Sequence, residues 1–298
     1  MHHGKAILQS TRGPFLLLTP ACIFLGISIA VHHGIELDWM KLVLILLGAL
    51  LAHASVNLLN EYSDFRSGLD LNTTRTAFSG GSGSLPSHPG AAISVRNAGI
   101  ATLVGTVLIG LYLTLKSGPG LLLIGLIGAI VIITYTDWLN RSALLCLVAP
   151  GLGFGLLMVW GTQYVLEPSF DSSAFWIALV PFCTTNNLLL LNQYPDLQAD
   201  RAAGRRHLII AYGVSAGHIA YAIQLALIAL VIISGIVMGW LPFSAALGLL
   251  TFPLALVALS GAIRLGEAIG SEPKYLAMNV ITALLTPTLL AAGLLISS

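Results

Sequence analysis

Apolar residues run along this chain in blocks far longer than a water-facing fold uses. Windows of about twenty such residues, the length at which a helix crosses the hydrocarbon core of a bilayer, fall at 14–33, 39–60, 93–115, 118–135, 144–166, 174–194, 208–238, 242–263 and 275–296. They predict nine crossings and an all-α, polytopic membrane protein. Within lipid a helix satisfies its own backbone hydrogen bonds, which an open strand or loop does not. One transmembrane domain is expected over residues 1–298. Two polar connections interrupt the pattern, a long one at 61–92 and a shorter, densely charged one at 195–207.

Composition agrees with this reading. Of the 298 residues 56% are hydrophobic and 8% charged, with a mean hydropathy of +0.91, whereas soluble domains carry about 25% charged residues. The partner implied for the bulk of the surface is the lipid bilayer. A net charge of +1 without any Lys/Arg cluster gives no sign of nucleic acid binding. Cys22, Cys146 and Cys183 lie singly in apolar stretches and read as small buried hydrophobes, not as a disulfide framework. His2 and His3 receive no role, and the first apolar run is too long and lacks the cleavage site of a secretory signal.

The cations set the orientation. Lys5, Arg12, Arg66, Arg75, Arg96, Arg141, Arg201, Arg205, Arg206, Arg264 and Lys274 fall on one side of the predicted crossings, against Lys41 and Lys116 on the other. Eleven against two predicts a cytoplasmic amino terminus in a cell inner or plasma membrane.

Two apolar runs end in nearly the same words, LLNEYSD at 58–64 and LLNQYPD at 190–196. Both lie on the cation-rich side, which suggests a parallel repeat of about four helices. In a helix Asn57, Asn60 and Asp64 share a face, as do Asn192, Asp196 and Asp200; Pro195 is expected to kink or end the second helix. Carboxylates beside membrane helices are costly unless paired or metal-bound, and Mg²⁺ takes a few carboxylates together with phosphate oxygens. Arg205 and Arg206 could meet further phosphate charge, and Gly80, Gly81 and Gly83 allow a backbone cradle for an anion. Each feature also has a plainer reading. The asparagines could tie helices together, Tyr62 and Tyr194 could belong to an interfacial aromatic belt, and Glu61 and Asp70 could be solvated loop acids. His207 reads as a phosphate or interfacial neighbour more readily than as a general base.

These residues resemble the two aspartate-rich motifs of the UbiA superfamily of intramembrane prenyltransferases. The first, Asn57-Leu-Leu-Asn60-Glu61-Tyr62-Ser63-Asp64 followed by Gly68 and Asp70, is most similar to that of the 1,4-dihydroxy-2-naphthoate polyprenyltransferases of menaquinone synthesis. The second is matched by Asp196, Asp200, Gly204 and Arg205, with further likeness at 135–137 and 151–165. Glu61 departs from the usual Asp. The loop after Tyr135 lacks the Arg-Gly-x-Gly-Glu pattern of the naphthoate enzymes, and the FSGGSG loop is unlike the best-known members.

The resemblance implies nine helices around a central cavity on the cytoplasmic side and Mg²⁺-dependent transfer of a polyprenyl group from polyprenyl diphosphate to an aromatic acceptor. It implies Asp64, Asp70, Asp196 and Asp200 as metal ligands, and Asn60 and Asn192 as residues that orient them or touch phosphate. Arg205, Arg206 and Arg75, with Gly80 and Gly81, would face the diphosphate. Tyr135, or else Tyr62, Tyr194 or Phe78, would lend a π face to the allylic cation. Gly151, Gly153 and Gly155 fit close helix packing or a groove for the tail. Other acceptors open to the same chemistry are 4-hydroxybenzoate, homogentisate or a glycerol phosphate lipid. Rival readings from other classes are a cation-coupled transporter, which predicts charges near the midplane, and an inactive isoprenoid-binding scaffold.

Overall fold

The computed structural model describes residues 2–297, and among them every regular element is helical. We number the nine long apolar helices α1 (Gly13–His32), α2 (Trp39–Arg66), α3 (Pro89–Ser117), α4 (Gly120–Thr134), α5 (Ala143–Leu166), α6 (Ser172–Asn192), α7 (Val214–Val237), α8 (Phe243–Ser271) and α9 (Pro273–Ile296). Eight are long and apolar enough to cross a membrane. The other, α4, has fifteen residues and rises about 22 Å, less than the ~30 Å of a hydrocarbon core. The expectation of nine crossings therefore meets eight candidate spans and one shorter apolar helix. The seventh window, 208–238, is not one helix. Gly213, at φ +85°, separates a short helix, Leu208–Tyr212, from α7.

Local chemistry sets the helix ends. The carboxylate of Asp38 accepts the N–H groups of Met40 and Lys41 to start α2, and Asp171 does the same for Ser173 and Ala174 at the start of α6. The α6 helix stops at Asn192; the chain turns through Pro195 and resumes as the short helix Leu197–Ala202. Pro150 removes an N–H inside α5, and residues Leu152–Trp160 adopt the wider π-helical winding.

Sequential helices pack as neighbours, and α9 returns against α1 and α6 to close the ring. Small residues permit the closest approaches. A Cβ added to Gly151 or Gly155 would run into the backbone of Phe182 on α6, whereas Gly153 opens away from any neighbour. Polar glue joins α6, α7 and α9. Asn187 Nδ2 donates to the Tyr221 carbonyl at 3.2 Å, Gln224 Nε2 to Asn187 Oδ1 at 2.8 Å, and Tyr221 to Asn279 Oδ1 at 2.9 Å. The three cysteines are buried and unbridged.

A cavity of about 590 Å³ lies among α1 to α6. Its lining residues end at His207, so α7, α8 and α9 contribute none of its wall. Carbons of α2 to α5 line most of it. Its Asp and Arg residues gather near the ends of α2 and α6, while His53, Thr106, Thr114 and Thr162 are polar positions elsewhere on the wall.

Candidate active site

The polar end is built by two helix ends and two connections. From α2 come Asn57, Asn60 and Asp64 on one face; from the 61–92 connection come Asp70, Phe78, Ser79, Gly80 and Gly81. Across the cavity stand Asn192, Asp196, Asp200, Arg205 and His207, with Tyr135 and Asn140 between the two sets. Gly80, Gly81 and Gly83 all have positive φ, which folds the loop inward. The Gly80 N–H donates to Asp196 Oδ2 at 2.9 Å, joining the first connection to the second.

Arg205 is the hub of the ionic network. Its guanidinium bonds Asp64 from one side and Asp200 Oδ1, at 2.8 Å, from the other. Burial works against its charge, yet the two carboxylates raise its pKa above the usual arginine range. Asp200 Oδ2 lies 3.1 Å from His207 Nε2. Asp70 is less well matched. Burial, with the charges of Asp64 and Glu61 nearby, pushes its carboxyl up to about 7. Burial and the neighbouring Asp200 push Asp196 up to about 6, against the pull of the Gly80 N–H.

Several buried acceptors have no hydrogen-bond partner among the described residues: Asp70 Oδ2, Asn192 Oδ1, Asp196 Oδ1 and Asn140 Oδ1. Leaving such atoms bare costs about 1–3 kcal/mol each. Their residues all line the same end of the cavity, so this is a donor-seeking, oxygen-rich surface of the kind that suits a hard cation such as Mg²⁺. As they stand, among the described residues, no three His, Cys, Asp or Glu side chains gather around one point. Arg205 holds part of that space.

The sequence description of the UbiA prenyltransferase family matches residues 19–281. The chain belongs to this family. It is a multi-pass membrane enzyme that transfers prenyl groups. Two curated UbiA relatives are both named 1,4-dihydroxy-2-naphthoate octaprenyltransferase. The one from Bacillus subtilis is 25% identical over 213 residues, covering 70% of this chain and 67% of its own. The one from Haemophilus influenzae is 26% identical over 234 residues, covering 74% of each. Among solved structures, a UbiA homologue from Archaeoglobus fulgidus bound to GPP and Mg²⁺ superposes with a TM-score of 0.66 at 16% identity, covering 97% of this chain and 99% of that one. A chain from work on digeranylgeranylglyceryl phosphate synthase gives a TM-score of 0.66 at 13% identity, with 97% and 99% covered.

Within this UbiA fold the site residues read from the sequence separate into two groups. Asn60, Asp64, Asp70, Gly80, Gly81, Tyr135, Asn192, Asp196, Asp200 and Arg205 all reach the cavity. Arg206 and Arg75 do not. Residues 205–207 are extended, so neighbouring side chains alternate, and Arg206 points outward while its N–H bonds the Asn140 carbonyl at 3.0 Å. Arg75 is exposed behind the glycine loop and packs where Gly83 lacks a Cβ.

The two tyrosines and Glu61 sit in different surroundings. Tyr194 is fully buried against Gly217 and donates to the Val214 carbonyl, so it is neither interfacial anchor nor cavity wall. Tyr62 lies outside the cavity with Arg96 over its ring, 5.7 Å from the centroid. Glu61 is no solvated loop acid. It is fully buried, takes Arg12 Nη2 at 3.0 Å, and accepts from Ser82. Arg12, which the sequence marks only as one of the cations that set orientation, belongs to the site. Burial opposes its charge, but Glu61 holds its pKa up, and it lines the polar end beside Asn60. The available signal was a lone cation followed by Gly13-Pro14, at the edge of the first apolar run.

Proposed function

We propose that this enzyme transfers a polyprenyl group from polyprenyl diphosphate to an aromatic acceptor, with 1,4-dihydroxy-2-naphthoate the acceptor favoured by the names of its relatives. One observation carries the reading. A single cavity runs from a cluster of acids and unpartnered oxygens into an apolar interior, matching a substrate with a doubly phosphorylated head and a hydrocarbon tail.

Asp64, Asp70, Asp196 and Asp200 are the residues that would hold Mg²⁺. Bound there, the cation would neutralise charge on the leaving diphosphate. Asn60 and Asn192 orient the head group, and Arg205, already charged at the mouth, meets its oxygens. As the bond from the prenyl C1 to its phosphate oxygen breaks, the ring carbon of the acceptor attacks C1 and later gives up its proton to a carboxylate or the released diphosphate. Tyr135 and Phe78 place aromatic rings on the cavity wall near this step, where a π face steadies an allylic cation. Carbon walls keep out the water that would quench it. The excess of cations on one side supports a cytoplasmic amino terminus and a cytoplasmic mouth.

The acids stand at and just beyond the ends of α2 and α6, not at mid-depth, which favours an enzyme over a cation-coupled transporter. Purified protein with Mg²⁺, a polyprenyl diphosphate and a panel of aromatic acceptors should release pyrophosphate and yield a product heavier by the prenyl group. Cation uptake into proteoliposomes without acceptor-dependent pyrophosphate release would overturn the reading.

A further inference from the structure

His53 has no part in the diphosphate chemistry, yet it extends the same stripe. His53, Asn57, Asn60 and Asp64 stand at i, i+4, i+7 and i+11 of α2, and all four line the cavity. His53 is 5% exposed and lies about 16 Å deeper than Asp64 along the helix. Ionisable side chains at such depth are costly, and they face a bundle interior or a ligand path.

The imidazole is held by neighbours from two other helices. Its Nδ1 lies 2.8 Å from the hydroxyl of Thr19, which is fully buried on α1. It meets the Phe154 ring of α5 edge to face, with centroids 4.5 Å apart and planes at 70°. Phe154 sits in the π-helical turn beside Gly153, and both residues line the cavity. Among the described residues the Nδ1 contact with Thr19 is the ring's hydrogen bond to protein, which leaves Nε2 for the cavity that His53 lines.

We propose that His53 and Phe154 form the subsite for the acceptor ring. This rests on the aromatic acceptor proposed above. Phe154 offers an apolar face for the ring, and His53 Nε2 bonds a ring hydroxyl or carbonyl oxygen. A hydroxyl suits either imidazole tautomer, because it both donates and accepts. The distance from Asp64 to His53 is of the order of a diphosphate, a reacting carbon and an aromatic ring set end to end. A wall meeting only hydrocarbon at this level would leave Nε2 bare in every complex, which is a penalty without a return.

Two substitutions separate binding from architecture. His53→Gln keeps a polar atom near the Nε2 position but loses the Nδ1 site. His53→Asn keeps the bond to Thr19 but loses the atom facing the cavity. With each variant confirmed as folded by gel filtration, initial rates give separate KM values for acceptor and prenyl diphosphate. We expect His53→Asn to raise the acceptor KM about ten-fold and His53→Gln to stay within about three-fold, with the prenyl diphosphate KM unmoved in both. Phe154→Leu should raise the acceptor KM as well.

An acceptor KM at the wild-type value in His53→Asn, or a rise confined to His53→Gln, would overturn the subsite and assign the histidine to packing. If wild-type protein prenylates no aromatic acceptor at all, the aromatic reading fails and the subsite with it. If it prenylates one and His53→Asn matches it, the subsite alone fails.

Discussion

Arg205 occupies the position between Asp64 and Asp200, and its removal separates two effects. Arg205→Gln leaves two buried carboxylates without their common cation, so we expect a loss of about 3 kcal/mol, read as a lower melting temperature. Added Mg²⁺ should recover part of that loss, because a divalent cation meets the same two acids. The raised carboxyls of Asp70, about 7, and Asp196, about 6, make a second prediction. Between pH 4 and 7 the folded protein binds more protons than the unfolded chain at these groups, so their contribution lowers stability as pH rises and levels off above about 7. Melting curves without divalent cation across this range check the sign. Cation affinity should move the other way, increasing to about pH 7 as the competing protons leave. At this scale the sequence was uneven. The carboxylates and Asn60 were legible because acids at the end of an apolar helix have few uses. Arg12 and His53 were not, since a single cation or imidazole acquires meaning only from the helices packed against it. The two tyrosines show the converse. Their sequence settings are alike, but Gly217 lets one sink into the core while Arg96 keeps the other outside.

The contact of α5 with α6 has the narrowest tolerance among the elements that shape the cavity. Gly151 and Gly155 lie against the Phe182 backbone, and α6 carries Asn192 at its far end. Gly151→Val should destabilise the protein by about 1–3 kcal/mol and also reduce turnover, since any shift of α6 moves Asn192 and the turn bearing Asp196. The same change at Gly153, which has open space, should preserve stability. Thermal denaturation and activity on one preparation of each variant test both statements. Helix positions were legible because twenty-residue apolar runs leave little choice. The break at Gly213 and the π-helical winding after Pro150 were hidden, because each depends on how a backbone already in lipid satisfies its own hydrogen bonds.

For the whole molecule, the cation distribution predicts sidedness. The three native cysteines are buried and give little background, so Lys5→Cys and Lys116→Cys, both at exposed positions, report opposite faces. An impermeant thiol reagent should reach Lys116→Cys in intact cells and Lys5→Cys only after permeabilisation. A division of labour accompanies this layout. Every lining residue of the cavity precedes Leu208, while the last three helices brace it through Asn187, Tyr221 and Asn279. Apart from the tip where Glu267 and Gly270 meet Gln198 and Pro195, change in that final third reaches no wall residue, so a lineage could remodel much of that back without rewriting the cavity's lining. Altered substrate choice, by contrast, has to be written in the first two hundred or so residues.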